Sequence, residues 1–363
     1  MIIKQNSPLF LWTTIMRISE FDYKLPKNLI AQKPISPRDH SRLMIVDRKT
    51  GQISHHHFYD ILKLLKKGDV LVLNDSKVIP ARLWGRRESG GKAEVLLLRP
   101  KAKNLKNYVW SEEWWVIARP GLALNQIITF PAGLKAEVFK INGYERLVRF
   151  NYRGEKLKKI IYRIGQAPVP PYIKTGISGS QLKKEYQTVY ARYLGSVAAP
   201  TAGFHFTPKL IGKLKAKGIR FQYVTLHVGL GTFQPVKEEK IENHKMSVEW
   251  AEVNNKTAAF LNGAKKQGRR IIAVGTTATR VLESAANETR IIRPGQKFVD
   301  LFIYPGYKFK IVDALITNFH LPKSTLLLLV SAFAGRNLIL ASYQKAIKNK
   351  YRFFSFGDAM FIQ

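Results

Sequence analysis

Between residues 77 and 163 the apolar positions come in short runs that never reach helical length. Residues 93–98, 114–118 and 127–130 read as strands, and so does the stretch beginning at Arg82. The sharpest local signal is Asn142-Gly143, set between apolar runs at 136–141 and 147–152. Both central positions of a type I′ turn take positive φ, which these two residue types tolerate, so a hairpin is predicted there, with a slightly longer loop as the alternative. Short strands in series without long helical periods predict a small antiparallel β-barrel or a sandwich.

The second half of the chain has a different texture. Thr207-Pro208 opens a helix that Gly218 closes, and the apolar run 221–226 follows as a strand. A helix over 257–267 ends at Gly268 before the strand 271–274, and the strand 314–317 precedes a helix that starts at Ser324. Helix and strand alternate, which predicts an α/β domain with helices on both faces of a sheet. Near the start, Phe58, Ile61, Leu62 and Leu65 fall at helical spacing before Gly68. Residues 16–76 therefore join 164–363 as one discontinuous α/β domain, with an inserted small antiparallel β-barrel domain over 77–163. Residues 1–15 read as an upstream extension: the apolar stretch 8–12 lacks a small-residue cleavage site and falls well short of the ~20 residues of a membrane-spanning helix.

Charge changes the picture more than size does. The 363 residues carry 60 Lys and Arg against 25 Asp and Glu, a formal net charge of +35, which points to a polyanionic partner. Basic runs at 66–67, 101–106 and 345–350 lie far apart, so no single tail accounts for the excess; an even spread of lysine over the surface is the alternative. The absence of cysteine excludes a disulfide framework, a thiolate nucleophile and a cysteine-held iron–sulfur cluster. A cytoplasmic protein is expected.

Ligands of open α/β sheets bind at the carboxyl ends of strands. Three strands lead into loops rich in Gly, Thr, His and Asn: residues 226–233, with Gly229, Gly231 and Thr232; residues 274–280, with Gly275, Thr276, Thr277 and Arg280; and residues 317–322, with Asn318 and His320. Gly275-Thr276-Thr277 ahead of a helix suits a carboxylate or phosphate, although simple capping accounts for it equally. His205, His227 and His320 are candidate general bases, and each could equally be structural. Carboxylates are scarce, which draws attention to Asp75 beside Asn74, Asp300, Asp313 and Asp358. No metal is expected, because the histidine spacings match no zinc pattern and His55, His56 and His57 alternate across a strand.

Taken together, the strings GDVLVLNDSKVIPAR (68–82), VAAPTAGFHF (197–206), TLHVGLGTFQPV (225–236), IAVGTT (272–277), TNFHLP (317–322) and YRFFSFGDAM (351–360), with PPYI (170–173) and YQTVY (186–190), resemble the S-adenosylmethionine:tRNA ribosyltransferase-isomerase family of queuosine biosynthesis. The resemblance runs from Met16 to the end. Ser247 departs from it, standing where the family usually carries a second histidine, and so does Val299 before Asp300.

The resemblance implies an α/β domain plus a β-barrel. It implies transfer and isomerisation of the ribosyl part of S-adenosylmethionine onto 7-aminomethyl-7-deazaguanine at the tRNA wobble position, giving epoxyqueuosine and releasing adenine and methionine. S-adenosylmethionine is then a co-substrate, no prosthetic group is expected, and the partner is tRNA bound by a monomer away from any membrane. The expected catalytic set is His205, His227, His320, Asp75 and Glu249. The expected substrate-binding set is Asn74, Tyr172, Thr201, Gly229, Gly231, Thr232, Gly275, Thr276, Thr277, Arg280, Asp300, Asn318 and Asp358. The rival readings are a non-catalytic RNA-binding protein and an S-adenosylmethionine-dependent RNA methyltransferase.

Overall fold

The structure, a computed structural model, describes residues 16–101, 110–168, 172–173, 185–229 and 236–363. Its main sheet has nine strands in the order Gly295–Val299, Glu249–Val253, Arg220–Leu226, Val70–Asn74, Ile271–Val274, Ala314–Asn318, Ala359–Ile362, Arg42–Val46 and Ile53–His57. From Arg220–Leu226 to Ala314–Asn318 the pairings are parallel. Strands in such a run are buried on both faces, so they read as continuous apolar stretches. Val70 and Val72 pack into one layer, while Leu71 and Leu73 pack into the other.

Helices Asn255–Lys266, Thr276–Ala285, Thr325–Ala334 and Arg336–Lys348 cover the first face through Leu261, Val281, Leu328 and Ile339. Helix Pro208–Ala216, with Leu210 and Leu214, covers the second together with Phe58 and Ile61. Polar caps fix where these helices begin. Thr207 Oγ1 accepts from the Leu210 amide at 3.1 Å, Asn254 Oδ1 from Thr257 at 2.8 Å, and Ser324 Oγ from Leu327 at 3.2 Å. The helix expected over 257–267 starts earlier, at Asn255, because Asn254 is its cap.

The closed antiparallel barrel is built from Arg82–Arg87, Lys92–Pro100, Glu113–Arg119, Ile127–Thr129, Lys135–Asn142 and Glu145–Phe150. Val95, Leu97, Trp114, Val116, Val138 and Val148 fill its interior. Two details differ from the sequence expectation. The hairpin turn sits one residue later, since Asn142 pairs with Glu145 and leaves Gly143-Tyr144 in the loop. Only Gly143 of these has positive φ, so the type I′ requirement at both positions does not apply. The other difference is a helix, Gly154–Ile164, within a stretch read as strands: Leu157 and Ile161, one turn apart, join the barrel core. Where the chain passes between barrel and sheet, Ser76–Val78 pairs in parallel with Tyr193–Ser196.

Among the described residues no single helix is long and apolar enough to cross a membrane. Phe361 is fully buried in the core of the second face. Phe361→Ala should cost about 3–5 kcal/mol, the range for emptying a phenylalanine site, read as a lower urea midpoint at unchanged slope.

Candidate active site

The parallel strands all end on one edge of the sheet, so the segments that follow them meet there. Leu226 leads to His227 and Val228, Val274 to Gly275, and Asn318 to His320. Ala359–Ile362 runs antiparallel to Ala314–Asn318 with Ala359 opposite Asn318, so the segment before it, with Phe354 and Ser355, arrives at the same edge. Between these segments lies a cleft of about 630 Å³, measured to include its open mouth. Tyr172, Thr201, Gly275, Thr276, Thr277, Asn318 and His320 line it, all of them anticipated, and so do Ser324, Phe354 and Ser355, which were not singled out.

Gly275 takes φ +90, a conformation side chains disfavour, and its amide donates to the Ile316 carbonyl at 2.7 Å. That places the start of helix Thr276–Ala285 at the cleft, while Ser324 brings the start of helix Thr325–Ala334 to the same wall. Helix N-termini present free amides and a positive dipole end, so the wall suits an anion. Thr277 Oγ1 and Asn318 Oδ1 are buried in this wall with no hydrogen-bond partner. Buried polar atoms are normally paired, which makes these two candidates for contact with a ligand. The Asn318 amide nitrogen is already engaged, donating to the Phe354 carbonyl at 3.0 Å.

His320 Nε2 lies 2.9 Å from Thr317 Oγ1, its amide donates to the Tyr343 hydroxyl at 2.9 Å, and the Tyr23 hydroxyl donates to its carbonyl. Burial pushes its pKa down to about 3, so the imidazole is neutral at physiological pH. Across the cleft Tyr172 packs on Phe354 with ring centroids 4.6 Å apart, its hydroxyl 2.6 Å from Ser355 Oγ.

The other two histidines stand behind the cleft. His205 Nδ1 is 2.7 Å from Ser41 Oγ and its Nε2 is 3.3 Å from the Asn318 amide nitrogen, with the ring stacked on Phe58. With Asn318 donating, Nε2 accepts and the proton sits on Nδ1. His205 thus orients Asn318 instead of facing the cavity, and burial lowers its pKa to about 4. His227 packs on Trp250 at 4.6 Å and against Gly195, where a Cβ would come within 2.1 Å of Nδ1. Burial lowers its pKa to about 4, against a hydrogen bond with the Gly195 backbone.

Several anticipated residues are held by the chain itself. Asn74 pairs its side-chain amide with the Leu226 backbone, at 3.0 Å in both directions, and extends the sheet ladder by one step. Arg280, expected to meet a substrate anion, forms a buried pair with Glu249 and donates to the carbonyls of Leu301 at 3.0 Å and Val299 at 3.3 Å. Glu249 also accepts from the Gly229 amide at 2.8 Å, so the pair anchors the loop after His227. Asp358 accepts from the Arg42 amide at 3.1 Å and from the Arg352 amide at 2.8 Å, and pairs with both guanidinium groups, fixing the Phe354 loop. Asp300 is exposed and Ser247 is exposed. Gly231 and Thr232 lie outside the described residues.

Asp75 sits off the cleft, accepting from Thr225 Oγ1 at 2.8 Å. Burial pushes its pKa from 3.8 up to about 6, which makes its ionised form cost up to about 3 kcal/mol in the folded chain. Below pH 3.8 the group is protonated whether folded or not, and the cost vanishes; it develops as pH rises and is complete above 6. The stability of Asp75→Asn relative to the parent should therefore grow between pH 4 and pH 6.5, by up to about 3 kcal/mol in urea titrations. A difference that stays flat across that window contradicts the assignment.

A family model described as queuosine biosynthesis protein matches residues 18–362. A protein from Caldanaerobacter subterraneus subsp. tengcongensis, named S-adenosylmethionine:tRNA ribosyltransferase-isomerase, is 53% identical over 352 residues, covering 96% of this chain and all of the relative. One of the same name from Acetivibrio thermocellus is 52% identical over 353 residues, with the same coverage. Among solved structures, an S-adenosylmethionine tRNA ribosyltransferase from Thermotoga maritima matches with a TM-score of 0.53 at 38% identity, covering 95% of this chain and all of the other.

Proposed function

Because the chain belongs to the queuosine biosynthesis family of S-adenosylmethionine:tRNA ribosyltransferase-isomerases and is an enzyme of that kind, we propose that the cleft at the strand ends holds S-adenosylmethionine while its ribosyl part passes to a tRNA base. The acceptor is 7-aminomethyl-7-deazaguanine at the wobble position, and the products are epoxyqueuosine-tRNA, adenine and methionine. The observation that carries the placement is the pair of helix starts with two unpartnered polar atoms, Thr277 Oγ1 and Asn318 Oδ1, in one cleft wall. The methionyl carboxylate meets the amides at Thr276 and Thr277, where a negative charge is favoured. Tyr172 and Phe354 offer ring faces to the sulfonium, which cation–π attraction stabilises.

His320 is the proton acceptor in this reading, because it is the one of the three candidate histidines that lines the cleft. A neutral ring also avoids the repulsion that an imidazolium would feel beside a positive sulfur. The sulfonium acidifies the C5′ hydrogen, and His320 takes that proton to leave a sulfur-stabilised carbanion. The carbanion expels the ring oxygen from C4′, C1′ becomes an aldehyde as adenine departs, and the His320 imidazolium returns its proton to the adenine nitrogen. The aminomethyl nitrogen of the tRNA base then adds to the unsaturated carbon next to the sulfonium-bearing one and loses a proton; the carbanion this regenerates closes a carbon–carbon bond onto the C1′ aldehyde, and the resulting alkoxide displaces methionine to form the epoxide. None of these steps changes the net oxidation level, so the reading calls for no prosthetic group. The enzyme acts as a monomer in this reading, and a tRNA substrate puts the reaction in the cytoplasm.

Mass spectrometry of tRNA and small molecules after incubation with S-adenosylmethionine tests the reading. Adenine, methionine and an epoxide-bearing nucleoside are expected. S-adenosylhomocysteine with methylated RNA would make the protein a methyltransferase, and bound RNA without adenine would make it a binding protein. His320→Ala should lower kcat by about a hundredfold or more, with loss of C5′ hydrogen exchange in deuterated solvent. Retention of both would remove His320 from the mechanism.

A further inference from the structure

A second cavity, about 1030 Å³ including its open mouth, lies where the barrel meets the sheet. Its walls are the segment 77–80 entering the barrel, Tyr162 on helix Gly154–Ile164, and residues 186–189. Among its described lining residues there is one cation, Lys77, and no carboxylate. Arg163 beside Tyr162 and Arg192 beside Ala191 are exposed, and neither they nor Lys77 form an ion pair among the described residues. Some barrel arginines, by contrast, are matched by acids, as in Arg82 with Glu94 and Arg99 with Glu145. The groove thus joins Lys77, in its lining, and Arg163, next in sequence to Tyr162, with an aromatic ring, since Tyr162 keeps 38% of its surface exposed, while Arg192 lies within electrostatic reach of Asp75.

Tyr186 connects this groove to the cleft. Tyr186 is among the groove's lining residues, and its hydroxyl lies against Ser355 and the Ala199 backbone, two residues of the cleft wall. Thr188 Oγ1, buried in the groove wall, has no hydrogen-bond partner. A single nucleic-acid strand needs cations for its phosphates and ring faces for its bases, with polar groups to meet base edges.

We propose that this groove seats the single-stranded stretch of tRNA that carries the target nucleotide. Its phosphates lie on Lys77 and the neighbouring Arg163, a base stacks on Tyr162, and the base to be modified reaches the cleft past Tyr186. The proposal rests on the assignment of the cleft to S-adenosylmethionine.

The test uses the full chain with tRNA bearing the acceptor base. Binding is measured by filter retention over a range of salt concentrations, and S-adenosylmethionine affinity by calorimetry. In Lys77→Gln/Arg163→Gln the slope of log Kd against log salt should fall by about 0.7 per cation removed, the single-strand value. Tyr162→Ala should weaken tRNA binding about tenfold without changing that slope. S-adenosylmethionine affinity should stay at the parent value in both. Lys266→Gln, on an exposed helix end far along the chain, should change the slope less than either groove cation. If the parent releases adenine with tRNA yet the double variant keeps its slope and Tyr162→Ala keeps its affinity, the groove proposal is overturned and the cleft assignment stands. If the parent releases no adenine at all, the cleft assignment fails and takes the groove with it.

Discussion

Parallel pairing of the central strands governs the rest of the molecule. Strands that run the same way must end on the same edge, and because both faces are covered by helices, that edge is where backbone polarity meets an opening. The chain satisfies most of it internally. Asn74 completes a ladder step with Leu226, Asp358 ties down the loop that delivers Phe354, and Glu249 with Arg280 secures the segment after His227. Two of the side-chain atoms left without a partner, Thr277 Oγ1 and Asn318 Oδ1, share one wall of that opening. Burial makes all three histidines neutral, and position separates them: of the three, His320 faces the opening, while His205 steers Asn318 from behind.

Local signals in the sequence were sufficient for the elements whose ends are set by nearby residues. Thr207 and Ser324 announce helices because a cap acts three residues away, and the strands 271–274 and 314–317 announce themselves through unbroken apolar runs. The helix Gly154–Ile164 was less legible, because its burial depends on a barrel end that only the closed fold supplies. The turn at Gly143 shifted by one residue for a similar reason: register comes from the whole ladder, not from the dipeptide.

The site followed the same division. Gly275-Thr276-Thr277, Asn318 and His320 meet in one cleft because each stands at or just beyond the end of a readable strand. Arg280, Glu249, Asn74 and Asp358 were recognisable as special, but their roles were not, since their partners lie far off in sequence. Asn74 meets Leu226 and Asp358 meets Arg42 across most of the fold, and a scarce charged residue looks the same in sequence whether its partner is substrate or self. Family resemblance marks which positions are special without separating the groups that touch substrate from those that position them.

The claim on which the account turns is that the shared strand edge is the S-adenosylmethionine site, and a crystal structure of the complex addresses it most directly. The account predicts density in the cleft, with the carboxylate within hydrogen-bond reach of the Thr276 or Thr277 amide and the sulfonium beside Tyr172 and Phe354. Well-ordered S-adenosylmethionine bound elsewhere, with Thr277 Oγ1 and Asn318 Oδ1 still untouched, would contradict it.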